Sequence, residues 1–118
     1  QQTPDWIAQH GDGWITYPRD TTTQQSLIGD WRERVQAAGR PDKPVMQSLY
    51  IDLVDNDETP PTPIHLGFRL GPRYLRAHLA SLRDIGVNHV ALNLRFNQTE
   101  ILTTMRRLAT EVLPDFST

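Results

Sequence analysis

The sequence predicts an α/β fold in which short strands alternate with helices in the order α-β-α-β-α-β-α. Three observations lead there. Runs rich in β-branched and aromatic residues recur at 13–17, 45–54 and 89–94. The stretches between and beyond them carry apolar residues at helical spacing. Glycine or proline punctuates most of the junctions.

The chain opens on a helix signal, with Thr3 as N-cap, Pro4 at the first helical position and Asp5 beside it. Trp6, Ile7 and His10 share a face, and Gly11 ends the turn. The first strand, 13–17, closes at Pro18. A helix over 23–38 follows on Leu27, Trp31, Val35 and Ala38, stopped by Gly39 and barred from continuing by Pro41 and Pro44. The second strand, 45–54, breaks at Asp55-Asn56-Asp57. Residues 58–66, with Pro60, Pro61 and Pro63, read as an irregular connection. Gly71 and Pro72 open a third helix that turns Leu75, Leu79, Leu82 and Gly86 inward and Arg73, Arg76 and Arg83 toward water. The third strand, 89–94, leads into a last helix over 98–113, striped by Ile101, Met105, Leu108 and Val112 and stopped at Pro114.

Composition narrows the chemistry. The 118 residues supply one domain, 1–118, with one modest core. Twelve basic side chains against fourteen acidic ones give a formal charge of −2, which lacks the basic footprint of a nucleic-acid-binding domain. The absence of cysteine excludes disulfides, thiolate metal sites and cysteine nucleophiles. No apolar run approaches the ~20 residues of a membrane span, and no export segment stands at the start, so a cytoplasmic protein without membrane contact is expected. His10, His65, His78 and His89 have no metalloprotease spacing, and Asp55-Asn56-Asp57-Glu58 lacks the glycine of a calcium loop; no metal is expected. The glycines form neither a dinucleotide nor a Walker motif. No catalytic residue is identified.

Strand polarity says more. Along the last strand Val90, Leu92 and Leu94 alternate with His89, Ala91, Asn93 and Arg95. On the middle strand Met46, Ser48, Tyr50 and Asp52 alternate with Val45, Gln47, Leu49, Ile51 and Leu53. One face to pack under helices and one small or polar face is the pattern of a β/α barrel strand, whose ligands gather at the carboxyl strand ends. Tyr17, Asp52, Asn93 and Arg95 fall at those ends, either as site residues or as ordinary strand-end polar groups.

Three strings in this order, WIAQHGDGWITYPR (6–19), KPVMQSLYIDL (43–53) and GVNHVALN (86–93), resemble the C-terminal portion of bacterial-luciferase-like flavin-dependent monooxygenases, the LLM class oxidoreductases. The resemblance implies a partial (β/α)8 TIM barrel: about the last three parallel strands with four helices of a fold that takes about 250 residues. It implies reduced FMN, or a deazaflavin, held by its phosphate at a helix N-terminus. That site would fall at Gln1, Gln2 and Thr3, with Tyr17 either lining the flavin ring or packing at the barrel mouth. Asp52, Asn93 and Arg95 are the substrate-side candidates for a small organic substrate. The expectation is a C-terminal fragment of such an enzyme, inactive alone and with weak or absent FMN binding. The alternative is a non-catalytic interaction module. In either case exposed sheet edges predict a homo-oligomer.

Overall fold

The computed structural model describes residues 4–116. It is mixed α/β, in the order α1 (Pro4–His10), β1 (Trp14–Thr16), α2 (Thr21–Ala37), β2 (Val45–Leu53), β3 (Thr62–Ile64), β4 (Gly67–Leu70), α3 (Pro72–Asp84), β5 (His89–Asn93) and α4 (Ile101–Arg107). A π-helical turn, Leu108–Val112, and a 3₁₀ turn, Leu113–Asp115, continue α4. Two compact units divide the chain: Gln1–Ser48 with Ser81–Ala91, and Leu49–Ala80 with Leu92–Thr118. Thr3, the expected cap of α1, lies outside the described residues.

In the first unit α2 begins where the Asp20 carboxylate accepts the Thr23 amide at 2.9 Å and the Thr23 hydroxyl at 2.7 Å, filling one of the donors that every helix start leaves open. Gln24, Ile28, Trp31 and Val35 are its buried residues. Trp31 and Val35 are buried as expected, Gln24 and Ile28 join them, and Leu27 and Ala38 are half-buried at the edge of the stripe. The helix ends ahead of Gly39, whose φ of 70° suits glycine. β1 pairs parallel with β2, Trp14 opposite Val45 and Ile15 opposite Met46. Trp14 stacks on Trp31 at 5.6 Å between ring centres, and Ala8, Ile28, Val35, Val45, Leu82 and Val87 complete the core. Arg32 donates to the Gly86 carbonyl at 2.7 Å and pairs with Asp42, fastening the end of α3 to α2. Asn88 exchanges two bonds with Val45: its amide donates to the Val45 carbonyl at 2.9 Å, and its side-chain oxygen accepts the Val45 amide at 2.8 Å.

The second unit departs from the expected three parallel strands. Those three all form, as β1, β2 and β5, and β5 pairs with β2. Within the stretch read as irregular, however, Thr62–Ile64 is a strand, and it makes an antiparallel hairpin with β4. β4 in turn runs parallel to β2, Tyr50 opposite Gly67 and Asp52 opposite Arg69. The prolines argued against a strand at 62–64 because proline cannot donate to a ladder. β3 pairs only with β4 among the described residues, and an edge position tolerates Pro63. The hairpin loop sets Leu66 at φ 53°, a left-handed conformation that costs a leucine about 1–2 kcal/mol. Gly67 is obligatory for a different reason: a Cβ there would fall 1.7 Å from the Tyr50 carbonyl oxygen.

Leu49, Ile51, Leu53, Leu70, Leu75, Leu79, Leu108 and Val112 form the core of this unit. Asp57 accepts the Arg73 amide at 2.8 Å at the start of α3, and Arg73 closes on Glu58 at 2.7 Å, so the acidic turn is tied to the helix it precedes. α4 starts later than expected, at Ile101, because Glu100 caps it by accepting the Leu102 and Thr103 amides at 3.0 Å each. Its stripe also differs. Thr104, Leu108 and Val112 are buried, whereas Ile101 and Met105 are 55% and 54% exposed. A step of four residues in an α-helix overshoots a full turn by about 40°. The wide π turn unwinds that drift and returns Val112 to the side Leu108 occupies.

Candidate functional site

At the carboxyl end of β1, in the first unit, Thr16, Gln24 and Gln47 are all buried polar residues. Gln24 Nε2 donates to Gln47 Oε1 at 2.7 Å and to the Tyr17 carbonyl at 3.2 Å. Arg19 adds donations to Thr16 Oγ1, to the Tyr17 carbonyl and to Gln24 Oε1. Every member is hydrogen-bonded, which is what keeps buried amides from being a liability. The network fixes the backbone of Tyr17 while its side chain stands in solvent, the residue being 66% exposed. Gln24 and Gln47 were not singled out in the sequence. The available signal was Gln47 itself, a polar residue on the otherwise apolar side of β2.

The same unit has a shallow cavity of about 280 Å³ lined by Asp12, Gly13, Trp14, Ile15, Pro44, Met46 and His89. It lies at the amino ends of β1, β2 and β5, the opposite end from the one where parallel α/β folds place their chemistry. Gln1, Gln2 and Thr3, the expected phosphate residues, lie outside the described residues.

The second unit brings the substrate-side candidates to one region. Asp52 is 3% exposed. Its Oδ1 accepts the Gln98 amide at 3.0 Å, and its Oδ2 faces Arg69 Nε at 3.5 Å. Arg69 stands opposite Asp52 on β4, and its own side chain remains half exposed. Asn93, at the end of β5, accepts the Arg95 amide at 2.9 Å, and the Arg95 guanidinium lies 5.5 Å over the Phe96 ring. Phe96 packs against Tyr50 with ring centres 5.1 Å apart, and His65, from the hairpin loop, stands 6.0 Å from Tyr50 and 6.2 Å from Phe96.

What holds this region is Asn97. Its side-chain oxygen accepts the Leu53 amide at 2.8 Å, and its side-chain nitrogen donates to the Thr99 carbonyl at 2.9 Å and to Thr104 Oγ1 at 2.8 Å. Asn97 therefore ties the loop before α4 to the end of β2, and with it the Gln98 amide that meets Asp52. Sequence reasoning missed Asn97, the pairing of Arg69 with Asp52 and the gathering of the three rings, since each depends on the hairpin and the loop geometry. On the helix side, His78 lies edge-on to Phe68 at 5.1 Å, and burial pushes its pKa down.

The region thus holds one cation against a cluster of aromatic faces and a second paired with a buried carboxylate on the neighbouring strand. That combination binds and orients flat or anionic groups. Among the described residues no group of three or more potential metal ligands occurs. No helix among them is long and apolar enough to cross a membrane. No protein-family model matches the sequence, and no curated protein matches it.

Proposed function

We propose that the chain forms the carboxyl-terminal arc of a (β/α)8 barrel in a luciferase-like, flavin-dependent monooxygenase or oxidoreductase. The enzyme would use reduced FMN and O₂ on a small organic substrate. The observation that supports this reading best is the alternation along the strands. On β2 the residues Val45, Gln47, Leu49, Ile51 and Leu53 are buried, while between them Met46 is exposed, Ser48 and Tyr50 are half-buried and only Asp52 is buried as well. On β5 His89, Ala91 and Asn93 are exposed. A strand face of that kind is the lining of a barrel once the remaining strands are present. The β3–β4 hairpin sits between β2 and α3, the kind of strand-to-helix loop that barrel enzymes elaborate around their sites.

A single residue supports the ring side of a flavin site. Tyr17 offers an exposed aromatic face on a backbone immobilised by Gln24 and Arg19. The flavin, when bound, supplies the oxygen chemistry, and the protein supplies orientation and exclusion of water. In the first unit Tyr17 would abut the ring; in the second, Asp52 with Arg69 and the Gln98 amide would set the substrate side. The test is a fluorescence titration with FMN. The chain alone is expected to leave FMN unquenched, and a longer protein in which it completes a barrel, as this reading requires, to quench it stoichiometrically. A micromolar site on these residues alone would overturn the arc, and an unquenched longer protein would overturn the flavin.

One observation favours a second reading, an assembly module. Ile15 is 73% exposed, and its partner in register, Met46, is 36% exposed. Light scattering is expected to find a homo-oligomer that Ile15→Lys dissociates; a monomer at high concentration would dismiss it.

A further inference from the structure

We infer that the region around Asp52 selects an aromatic carboxylate. The inference rests on assigning the substrate side to Asp52, Asn93 and Arg95, and it adds the class of molecule bound there. Tyr50, His65 and Phe96 bring three rings within about 6 Å of one another, and Phe96 stays 40% exposed. Such a surface favours a flat apolar partner that stacks or meets it edge-on. Arg69 turns its Nε toward the Asp52 carboxylate at 3.5 Å, an ion pair with a group that is buried and also takes the Gln98 amide. A guanidinium carries five donors in a planar fork, so this tether orients the fork and leaves its outer N–H groups for another acceptor. Arg95 is the second cation and already lies against the Phe96 face.

The charge count decides the ligand's sign. The Arg95 guanidinium lies against the rings, and Arg69 stands opposite Asp52, two residues along β2 from Tyr50; Asp52 itself is buried and takes the Gln98 amide. A neutral aromatic would satisfy the rings and leave the forks to water. An aliphatic acid would satisfy a fork and leave the rings bare. An aromatic carboxylate satisfies both, with bidentate bonds from Arg69 to the acid group.

The experiment is an NMR titration of the isotope-labelled wild-type chain with 1-naphthoate and, separately, with naphthalene-1-methanol, the same rings without the charge. We expect naphthoate to bind about tenfold more tightly, a difference worth about 1.4 kcal/mol. It should shift the Gln98 amide and the Arg69 Nε–H. Arg69→Gln should erase the preference, whereas Phe96→Ala should weaken both probes alike. If Arg69→Gln does not fold, the wild-type comparison and Arg95→Gln, which should narrow the preference, carry the test. Equal affinity for the two probes, no binding, or shifts confined to residues such as Trp14 and Met46 would overturn the inference. The flavin reading fails separately: naphthoate bound by a protein that never takes FMN sinks only the flavin.

Discussion

The side-chain oxygen of Asn97 sits 2.8 Å from the Leu53 amide nitrogen, in the place of a strand carbonyl. At the other end of β2, Asn88 does the same for Val45 at 2.8 Å. A strand that ends inside a fold leaves backbone donors open, and an asparagine amide copies the peptide group that would have filled them. Asn97→Ala would strand the Leu53 amide, the Thr99 carbonyl and Thr104. We expect a loss of about 2–4 kcal/mol in a urea titration. Asn93→Ala, at an exposed strand end, is expected to lose about 0.5 kcal/mol or less.

Two glycines should respond in opposite directions to alanine. At Gly67 the added Cβ meets the Tyr50 carbonyl carbon at 2.6 Å as well as its oxygen, so the β2–β4 pairing must part. Gly67→Ala is expected to destabilise by about 3 kcal/mol or more. Gly29, in the middle of α2, has nothing within 4 Å of such an atom. Gly29→Ala should stabilise by about 0.5–1 kcal/mol, because glycine loses the most freedom on entering a helix. Thermal unfolding of the two variants reads both signs.

The Gln24–Gln47 bond, both side chains being wholly buried, predicts a non-additive pair. Gln47→Leu alone leaves Gln24 Nε2 without its strongest acceptor and should cost about 1–3 kcal/mol. Gln24→Leu alone also takes a partner from Arg19 and the Tyr17 carbonyl and should cost at least as much. The double variant should lose less than the sum by about 1 kcal/mol, since neither amide is then stranded. Additive losses in denaturant would show that the bond contributes nothing.

Acid should weaken the fold in two stages. Burial holds the His78 pKa below its ordinary value, so below about pH 6.5 the unfolded chain takes a proton that the folded chain resists. Asp20 is held low by the Thr23 hydroxyl and then the Thr23 amide, and Glu100 by the Leu102 amide and then the Thr103 amide. Depressed carboxyl pKa values give stability that is complete above the unfolded values and is lost as pH falls through the folded ones. Unfolding midpoints should therefore drop gently below about pH 6.5 and more steeply below about pH 4.5. His78→Gln should remove the upper limb. Asp20→Asn with Glu100→Gln should flatten the lower one while keeping an oxygen to cap each helix.

Where local chemistry decides, the sequence was readable. Gly71-Pro72 opened α3, Gly39 closed α2, and the apolar runs gave β1, β2 and β5 nearly to the residue. The hairpin was hidden because Pro60, Pro61 and Pro63 speak against a strand, and only pairing with β4 at an edge makes 62–64 one. The burial of Gln24 in α2 was hidden because its partner, Gln47, lies twenty-three residues away. Asp52 was legible as a strand-end acid. Its cation was not, since Arg69 reaches it only through the parallel register of β2 and β4. The structure places Arg69 within β4.

The π turn at 108–112 also speaks to how this helix tolerates change in length. It accommodates one residue beyond what an ordinary spiral needs to keep Leu108 and Val112 on the same side. A sister sequence with Ala109 deleted would close as a regular spiral, with the inward-facing residues on both flanks still in phase. The segment is a built-in slack link, where the ancestry of the chain can gain or drop a single codon without disturbing what packs on either side of it.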